Sequence, residues 1–383
     1  MSTHDTLYDE DHVEFRSMVR RFVDTELRPR AEEFRANRQI PRSVWKQAGD
    51  LGLLGFMMPE EFGGGGVSDF RFNAVLGEEL SRLGYAYASS FGINTDVVAP
   101  YLQELATPEQ QKRWLPAFCR GELITAIALT EPGTGSDLAA VTTRATPTAD
   151  GWSISGAKTF ITNGAQCDLV LAVVRTGDAG GSKGLSLFAF ETTRPGFTRG
   201  RKLDKIGQHE ADASELSFDD LRVTRDDLIG EEGAAFGYLM RNLAQERLSC
   251  AIAALAQGDR IFELTLEYVK ERRAFGTAIG SFQHNKFALA QARTDLDVTR
   301  AFLERCLGAH VRGELTGADA AKVKLVTTEL QGRLADLGVQ MFGGYGYMNE
   351  SEIARCWADA RVTRIFAGTS EIMREVVGRS LGL

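Results

Sequence analysis

The chain has 383 residues, 43% of them hydrophobic and 25% charged, and carries a formal net charge of −8. These are the values of an ordinary soluble globular protein of two or three domains. No long basic cluster is present, which argues against a nucleic-acid partner, and no apolar run approaches the roughly 20 residues of a membrane span.

The first stretch, MSTHDTLYDEDHVEF, is acidic. It has neither the apolar centre of a secretory signal nor the Arg-rich character of a transit peptide. From about residue 9 to 121 the pattern is helical. Val13, Phe15, Met18, Val19, Phe22 and Val23 recur at near-helical spacing, and Arg28-Pro29 closes that segment. A short helix around Trp45 and Ala48 follows. The four glycines Gly63 to Gly66 mark a flexible loop, and further helices lie over 73–83 and 108–118. Residues 1–122 therefore read as an N-terminal helical domain.

From residue 123 the period switches to two. The runs DLVLAVV, GLSLFAFE and ELSFDDLRV are separated by Gly, Asp and Pro turns, so residues 123–230 read as a middle β domain, a small barrel or two packed sheets. At its start an apolar run breaks into Thr130-Glu131-Pro132-Gly133-Thr134-Gly135-Ser136-Asp137. Two glycines and a proline there imply a tight, backbone-exposed turn using angles closed to other residues. The Thr130 and Ser136 hydroxyls then face whatever binds. The strand through Gly151 to Thr162, with Asp150-Gly151 as its turn signal, reads as half of a hairpin. Such a polar strand end suits a flat heteroaromatic ring, and an ordinary strand–turn–strand fits the pattern equally well.

From residue 231 to 383 the text returns to long helices, over approximately 234–273, 282–312, 319–342 and 351–378, as expected of an up-and-down four-helix bundle. The fold class is thus α+β, mostly α. On the first long helix Leu239, Leu243, Glu246, Cys250 and Ala253 form a stripe in which Glu246 alone is charged. Burial there raises a carboxylate's pKa and makes Glu246 a candidate general base; a salt bridge to a neighbouring helix is the structural alternative. Cys119, Cys167, Cys250, Cys306 and Cys356 are odd in number and lack metal spacing, consistent with reduced thiols in a cytoplasm. The five histidines show no helical pairing, so no metal site is expected, and His209, His284 and His310 read as surface or interface residues.

Five segments, TEPGTGSD, FITNG, ERRAFG, QMFGGYGY and FAGTSEI, occur in that order and span nearly the whole chain. Each resembles a motif of the acyl-CoA dehydrogenase family, flavoenzymes that bind FAD. The resemblance implies FAD contacts at Leu129, Thr130, Gly135 and Ser136, with Ser136 also near the acyl-CoA, and at Phe160, Ile161 and Thr162 beside the isoalloxazine. It implies that Arg272, Phe275 and Gln283, and likewise Gln340, Gly343 and Gly344, reach the FAD of a neighbouring subunit in a homotetramer. Thr369 and Glu371 close the last motif. Many members carry the catalytic glutamate just before the Gly-Thr of that motif, where this chain has Ala367. The long-chain and isovaleryl-type members place it on the first long C-terminal helix before an arginine, as in Gln245-Glu246-Arg247, and LAQERL with EYVKERRAFG looks closest to the long-chain branch.

The resemblance therefore implies dehydrogenation of an acyl-CoA thioester to the trans-2-enoyl thioester. Glu246 takes the α proton and flavin N5 the β hydride. Gln245, Arg247, Ala367 and Gly368 lie on the substrate side, and the Ala367 N–H faces the thioester oxygen. Electrons pass to an electron-transfer flavoprotein. Other readings are the same reaction on a carrier-protein thioester, a flavin oxidase or monooxygenase on this fold, and a non-catalytic FAD-binding protein suggested by Ala367.

Overall fold

The computed structural model describes residues 7–177 and 180–383. Residues 1–6, the first part of the stretch read as lacking a leader, lie outside it.

Helix α1 (Glu10–Phe22) starts at Asp9, whose carboxylate accepts the His12 N–H, and it buries Phe15, Val19 and Phe22. Arg28-Pro29 does not end this helical run. The chain passes through a π-helical turn, Val23–Leu27, and a 3₁₀ turn, Arg28–Arg30, into α2 (Ala31–Asn37). Pro29 stands in a first turn, where a missing N–H costs nothing. Then come α3 (Arg42–Asp50), α4 (Arg71–Leu83), α5 (Tyr85–Gly92), α6 (Ala99–Glu104) and α7 (Pro108–Cys119). Both α5 and α6 are too short, and α5 too evenly apolar, to show a one-sided periodicity. Between them lies a second π-helical segment, Ile93–Val98.

The glycine loop is pinned rather than flexible. Gly66 and Val67 donate to the Met58 and Phe56 carbonyls. A Cβ on Gly64 would stand 2.1 Å from the Met58 oxygen. Gly64 and Gly65 are there for close backbone approach, and Gly63 and Gly66 for their left-handed φ of +84° and +66°.

The β part comprises β1 (Thr125–Ala128), β2 (Arg144–Thr148), β3 (Gly151–Thr162), β4 (Leu169–Arg175), β5 (Leu185–Glu191), β6 (Phe197–Lys202), β7 (Ala213–Val223) and β8 (Leu228–Ile229). Strands β2 and β3 form the expected hairpin, with Thr148 opposite Gly151. The path runs β6-β7-β3-β2-β4-β5-β8, with β1 parallel to β4. Its middle link, β2 to β4, is a single residue pair, Arg144 with Arg175. The sheet thus folds into two halves with rings packed between them, Trp152 against Phe188 at 5.3 Å and Phe190 against Phe218 at 5.6 Å.

The C-terminal part is built on α8 (Ala235–Glu271), a two-residue hairpin of β9 (Arg273–Ala274) and β10 (Thr277–Ala278), α9 (Gln283–Val311) and α10 (Gly317–Phe342). The fourth expected helix is broken into α11 (Glu352–Ala360) and α12 (Ser370–Ser380). The interruption falls at Ala367 and Gly368, where φ is +51° and +96°. No right-handed helix passes through two such residues.

Candidate active site

Glu246 sits on α8 as the stripe requires. Leu239, Cys250 and Ala253 are buried, while Leu243 and Glu246 keep partial access. Its carboxylate accepts one side-chain hydrogen bond, from the Tyr101 hydroxyl at 3.4 Å. No salt bridge to a neighbouring helix forms among the described residues. Burial pushes its pKa up to about 7, against smaller opposing effects from Tyr101 and Arg247. Partial access combined with protein on most sides leaves a carboxyl that can be protonated or ionised near neutrality.

The turn at 366–369 lies beside this stretch of α8. The Phe366 ring is 5.9 Å from Tyr85, whose hydroxyl donates to the Cys250 carbonyl at 3.2 Å. The Arg247 guanidinium is 4.0 Å from where a Cβ on Gly368 would stand. Arg247 is 8% exposed and its Nε has no partner among the described residues; burial holds its pKa down. Gln245 points elsewhere. Its amide donates to the Asp96 carbonyl at 2.7 Å and meets His310 at 3.2 Å. It braces α8 against the π-helical segment and α9, so the contact expected of it with substrate is already taken. Thr369 caps α12 by accepting the Ile372 N–H, and Glu371 is exposed beside Arg374.

A second group of sequence-singled residues gathers at the start of the β part. Strand β3 shifts register against β7 between Lys158 and Ile161. Phe160 there takes φ +59° and stands 69% exposed on the sheet. The Thr159 N–H donates to the Thr130 carbonyl at 2.9 Å, tying this bulge to the 130–137 loop. Leu129, Thr130 and Phe160 are thereby neighbours, while the Ile161 side chain turns into the core and only its backbone faces outward. Gly133 and Gly135 are not left-handed, contrary to expectation. What they provide is bare space: a Cβ on Gly133 would meet nothing within 4 Å, and one on Gly135 only the Thr130 methyl at 4.0 Å. A flat ring over Phe160 and this loop fits that surface.

Two residues that the sequence reading passed over hold the loop. The Lys158 ammonium, fully buried, donates to the Leu129 carbonyl at 3.0 Å and to Glu131 at 2.8 Å. Glu131 also accepts from the Thr142 and Thr143 N–H groups. These donors hold Glu131 down at about 2, and burial brings Lys158 down to about 8, so the pair is ionised at neutral pH. A period-two count would have found Lys158, since it shares parity with the buried Trp152 and Ile154.

The C-terminal motifs form a third group. Arg272, Gly343 and Gly344 line one cavity of about 510 Å³, roofed by Tyr268 and Phe342. Gln340 lies on the exposed side of α10, one turn before Gly343. Gln283 begins α9, exposed, and Phe275 is 97% exposed at φ +53°.

Family models match the chain in three consecutive stretches. They are "Acyl-CoA dehydrogenase, N-terminal domain" over residues 9–122, "middle domain" over 126–221 and "C-terminal domain" over 233–382. The mitochondrial long-chain specific acyl-CoA dehydrogenase of Rattus norvegicus is 40% identical over 381 residues, 98% of this chain and 87% of its own. An acyl-CoA dehydrogenase from Geobacillus kaustophilus superposes with a TM-score of 0.96 at 42% identity, covering 98% of this chain and 99% of that one. An FAD complex of PigA superposes at 0.93 with 27% identity, covering 99% of each. Matched end to end in sequence and in backbone, the chain belongs to the acyl-CoA dehydrogenase family.

Proposed function

We propose that the chain carries out FAD-dependent α,β-dehydrogenation of an acyl-CoA thioester to the trans-2-enoyl thioester, with Glu246 as the base. The observation that carries this reading is a partly accessible carboxylate on the inward stripe of α8, pushed up to about pKa 7 by burial and hydrogen-bonded, among the described residues, to the Tyr101 phenol. FAD fits the bare loop face and the exposed Phe160 described above, and when bound it supplies the acceptor for the β hydride. Leu129, Thr130, Gly135, Ser136, Phe160, Ile161 and Thr162 hold it, and Glu131 with Lys158 keeps their loop in place.

The chain's own part is to take a weakly acidic proton. Glu246 removes it from the α carbon, and the developing enolate oxygen needs a donor already in position. The Ala367 N–H is that donor in this reading. Alanine keeps the N–H while supplying no competing carboxylate, so a base on α8 and a donor on the 366–369 turn are compatible. Arg247, buried between the two, offsets the charge that develops there.

The exposed Phe275, Tyr345 and Tyr347 flank the Arg272 cavity. A second copy of the chain would cover them and bring Arg272, Phe275, Gln283, Gln340, Gly343 and Gly344 toward the neighbour's FAD, in keeping with a tetramer, while Thr369 and Glu371 close the last cofactor motif. No described helix is long and apolar enough to cross a membrane. Electrons would leave through an electron-transfer flavoprotein in the cytoplasm.

The test is Glu246→Gln. The purified variant is expected to stay yellow while anaerobic flavin bleaching across a panel of acyl-CoA thioesters is nearly abolished. Bleaching at the wild-type rate would move the base elsewhere.

A further inference from the structure

Helix α10 presents a fully buried lysine. Lys324 is 0% exposed, and its ammonium donates to the Gly368 carbonyl at 2.7 Å. Taking an ammonium out of water costs several kcal/mol unless it is well paired, and a carbonyl is a weaker partner than a carboxylate. Burial accordingly holds its pKa down, with Arg247 adding to that, while Cys250, Glu329 and Glu371 pull the other way. A leucine or methionine would fill the same space without the penalty. The lysine is explained by what it grips.

Gly368 is the second of two consecutive left-handed residues, Ala367 at φ +51° and Gly368 at φ +96°. A left-handed alanine is strained and persists only where surroundings over-determine it. Several contacts surround the pair. Thr369 accepts the Ile372 N–H, and Ser370 donates to Glu329 at 2.6 Å. The Met373 methyl lies 2.6 Å from where a Cβ on Gly368 would be. The first two fix the start of α12. Lys324 grips the strained pair itself, from the same helix whose Glu329 holds Ser370.

We infer that Lys324 is a positioning residue, which holds the Ala367–Gly368 turn so that the Ala367 N–H stays aimed at the thioester oxygen. This deepens the proposed function and rests on it: without an enolate to stabilise, the aim of that N–H has no consequence. Lys324 touches neither the α carbon nor the flavin in this reading. It acts through the turn, so removing it slows proton abstraction more than it weakens binding.

The experiment uses FAD-loaded enzyme and a 3-thia-acyl-CoA, whose β sulfur leaves no hydride to transfer while the α proton remains removable. Two signals report deprotonation: the long-wavelength absorption of the enolate against oxidised flavin, titrated with pH, and α-proton exchange in D₂O followed by mass spectrometry. Removing an oxyanion donor outright slows enzymes about 10²- to 10³-fold, so displacing one through Lys324→Met is expected to slow exchange by roughly 10- to 100-fold. The absorption onset should move to higher pH. FAD content and the melting temperature should hold near wild type, and KM for a normal acyl-CoA should change less than kcat. Wild-type exchange and an unmoved onset in Lys324→Met would overturn the assignment. Should that variant fail to fold, Lys324→Gln, whose amide falls short of Gly368, carries the same expectation. Glu246→Gln separates the two claims. If it still exchanges α protons, the base is wrong; if it is silent while Lys324→Met behaves as wild type, the positioning role alone falls.

Discussion

If Glu246 is a base tuned by burial, the protein has a measurable instability at that residue, and Glu246→Gln should relieve it. The native carboxyl keeps its proton up to about pH 7, against an ordinary value of 4.5. Between those values the folded chain binds more protons at this site than the unfolded chain does. Stability therefore falls as pH rises through that window and stays reduced above it. The displacement is about 2.5 units, or roughly 3 kcal/mol at 1.36 kcal/mol per unit. Partial solvent access trims it toward about 2. Glutamine has the same shape, can accept the Tyr101 hydroxyl and cannot ionise, so it escapes the loss. With an unfolding entropy near 2.1 cal/mol/K per residue, about 2–3 kcal/mol in a chain of 383 residues corresponds to roughly 3 °C in Tm. Thermal melts of the FAD-loaded proteins, in matched ionic strength, should put variant and wild type close together at pH 5 and the variant about 3 °C higher at pH 8. All other titrating groups are common to both proteins and cancel in the comparison. An equal difference at the two pH values would mean that Glu246 is not held protonated by its surroundings, and the argument for it as a tuned base would fail.

The same carboxyl sets the pH profile: acyl-CoA-driven flavin reduction should rise about tenfold from pH 6 to 8, following the ionised fraction of a group near 7. Tyr101→Phe removes the hydrogen bond that favours the ionised form, so stopped-flow titration should find that limb moved to higher pH; an unmoved limb would detach Tyr101 from the base. Lys158→Met leaves Glu131 buried without its cation, a change that costs about 3–5 kcal/mol, and is expected to release FAD on gel filtration, read as the 450-to-280 nm absorbance ratio. Gly135→Leu places a side chain over the bare face, where nothing but the Thr130 methyl is near. The apoprotein should melt as wild type yet fail to retain FAD; full retention would put the ring elsewhere.

Two kinds of information were legible in the sequence, to different depths. Strands β4 and β5, buried on both faces, were legible as apolar runs bounded by turns, and α8 by its long helical periodicity. Charges standing on apolar faces were legible too, but the rule was applied unevenly. It found Glu246 and passed over Lys158 and Lys324, although Lys324 lies among Ala320, Ala321, Val323 and Thr328, all buried. The short helices α5, apolar on most sides, and α6, under two turns long, left no one-sided stripe to read, and continuity through the π-helical turn at Val23–Leu27 is invisible to a scan that treats Pro29 as a stop.

Backbone sign was not legible, and it matters most at the site. Glycine was taken as the mark of left-handed backbone, yet Gly133 and Gly135 are not left-handed, while Phe160, Asn163, Phe275 and Ala367 are. Each belongs to a motif that the resemblance had singled out, and all but Asn163, a type that tolerates it, are residue types for which positive φ is unfavourable. The strain has to be held from outside, by Thr130 on the β3 bulge, by Ser90 and Thr125 on Asn163, and by Lys324 on the turn after Ala367. On the proposed mechanism this division accounts for a site without a carboxylate at position 367: the turn contributes a backbone donor that survives any side chain, and α8 contributes the base. The requirement that links them is that the turn hold its shape, and that shape is set by residues which never meet the substrate.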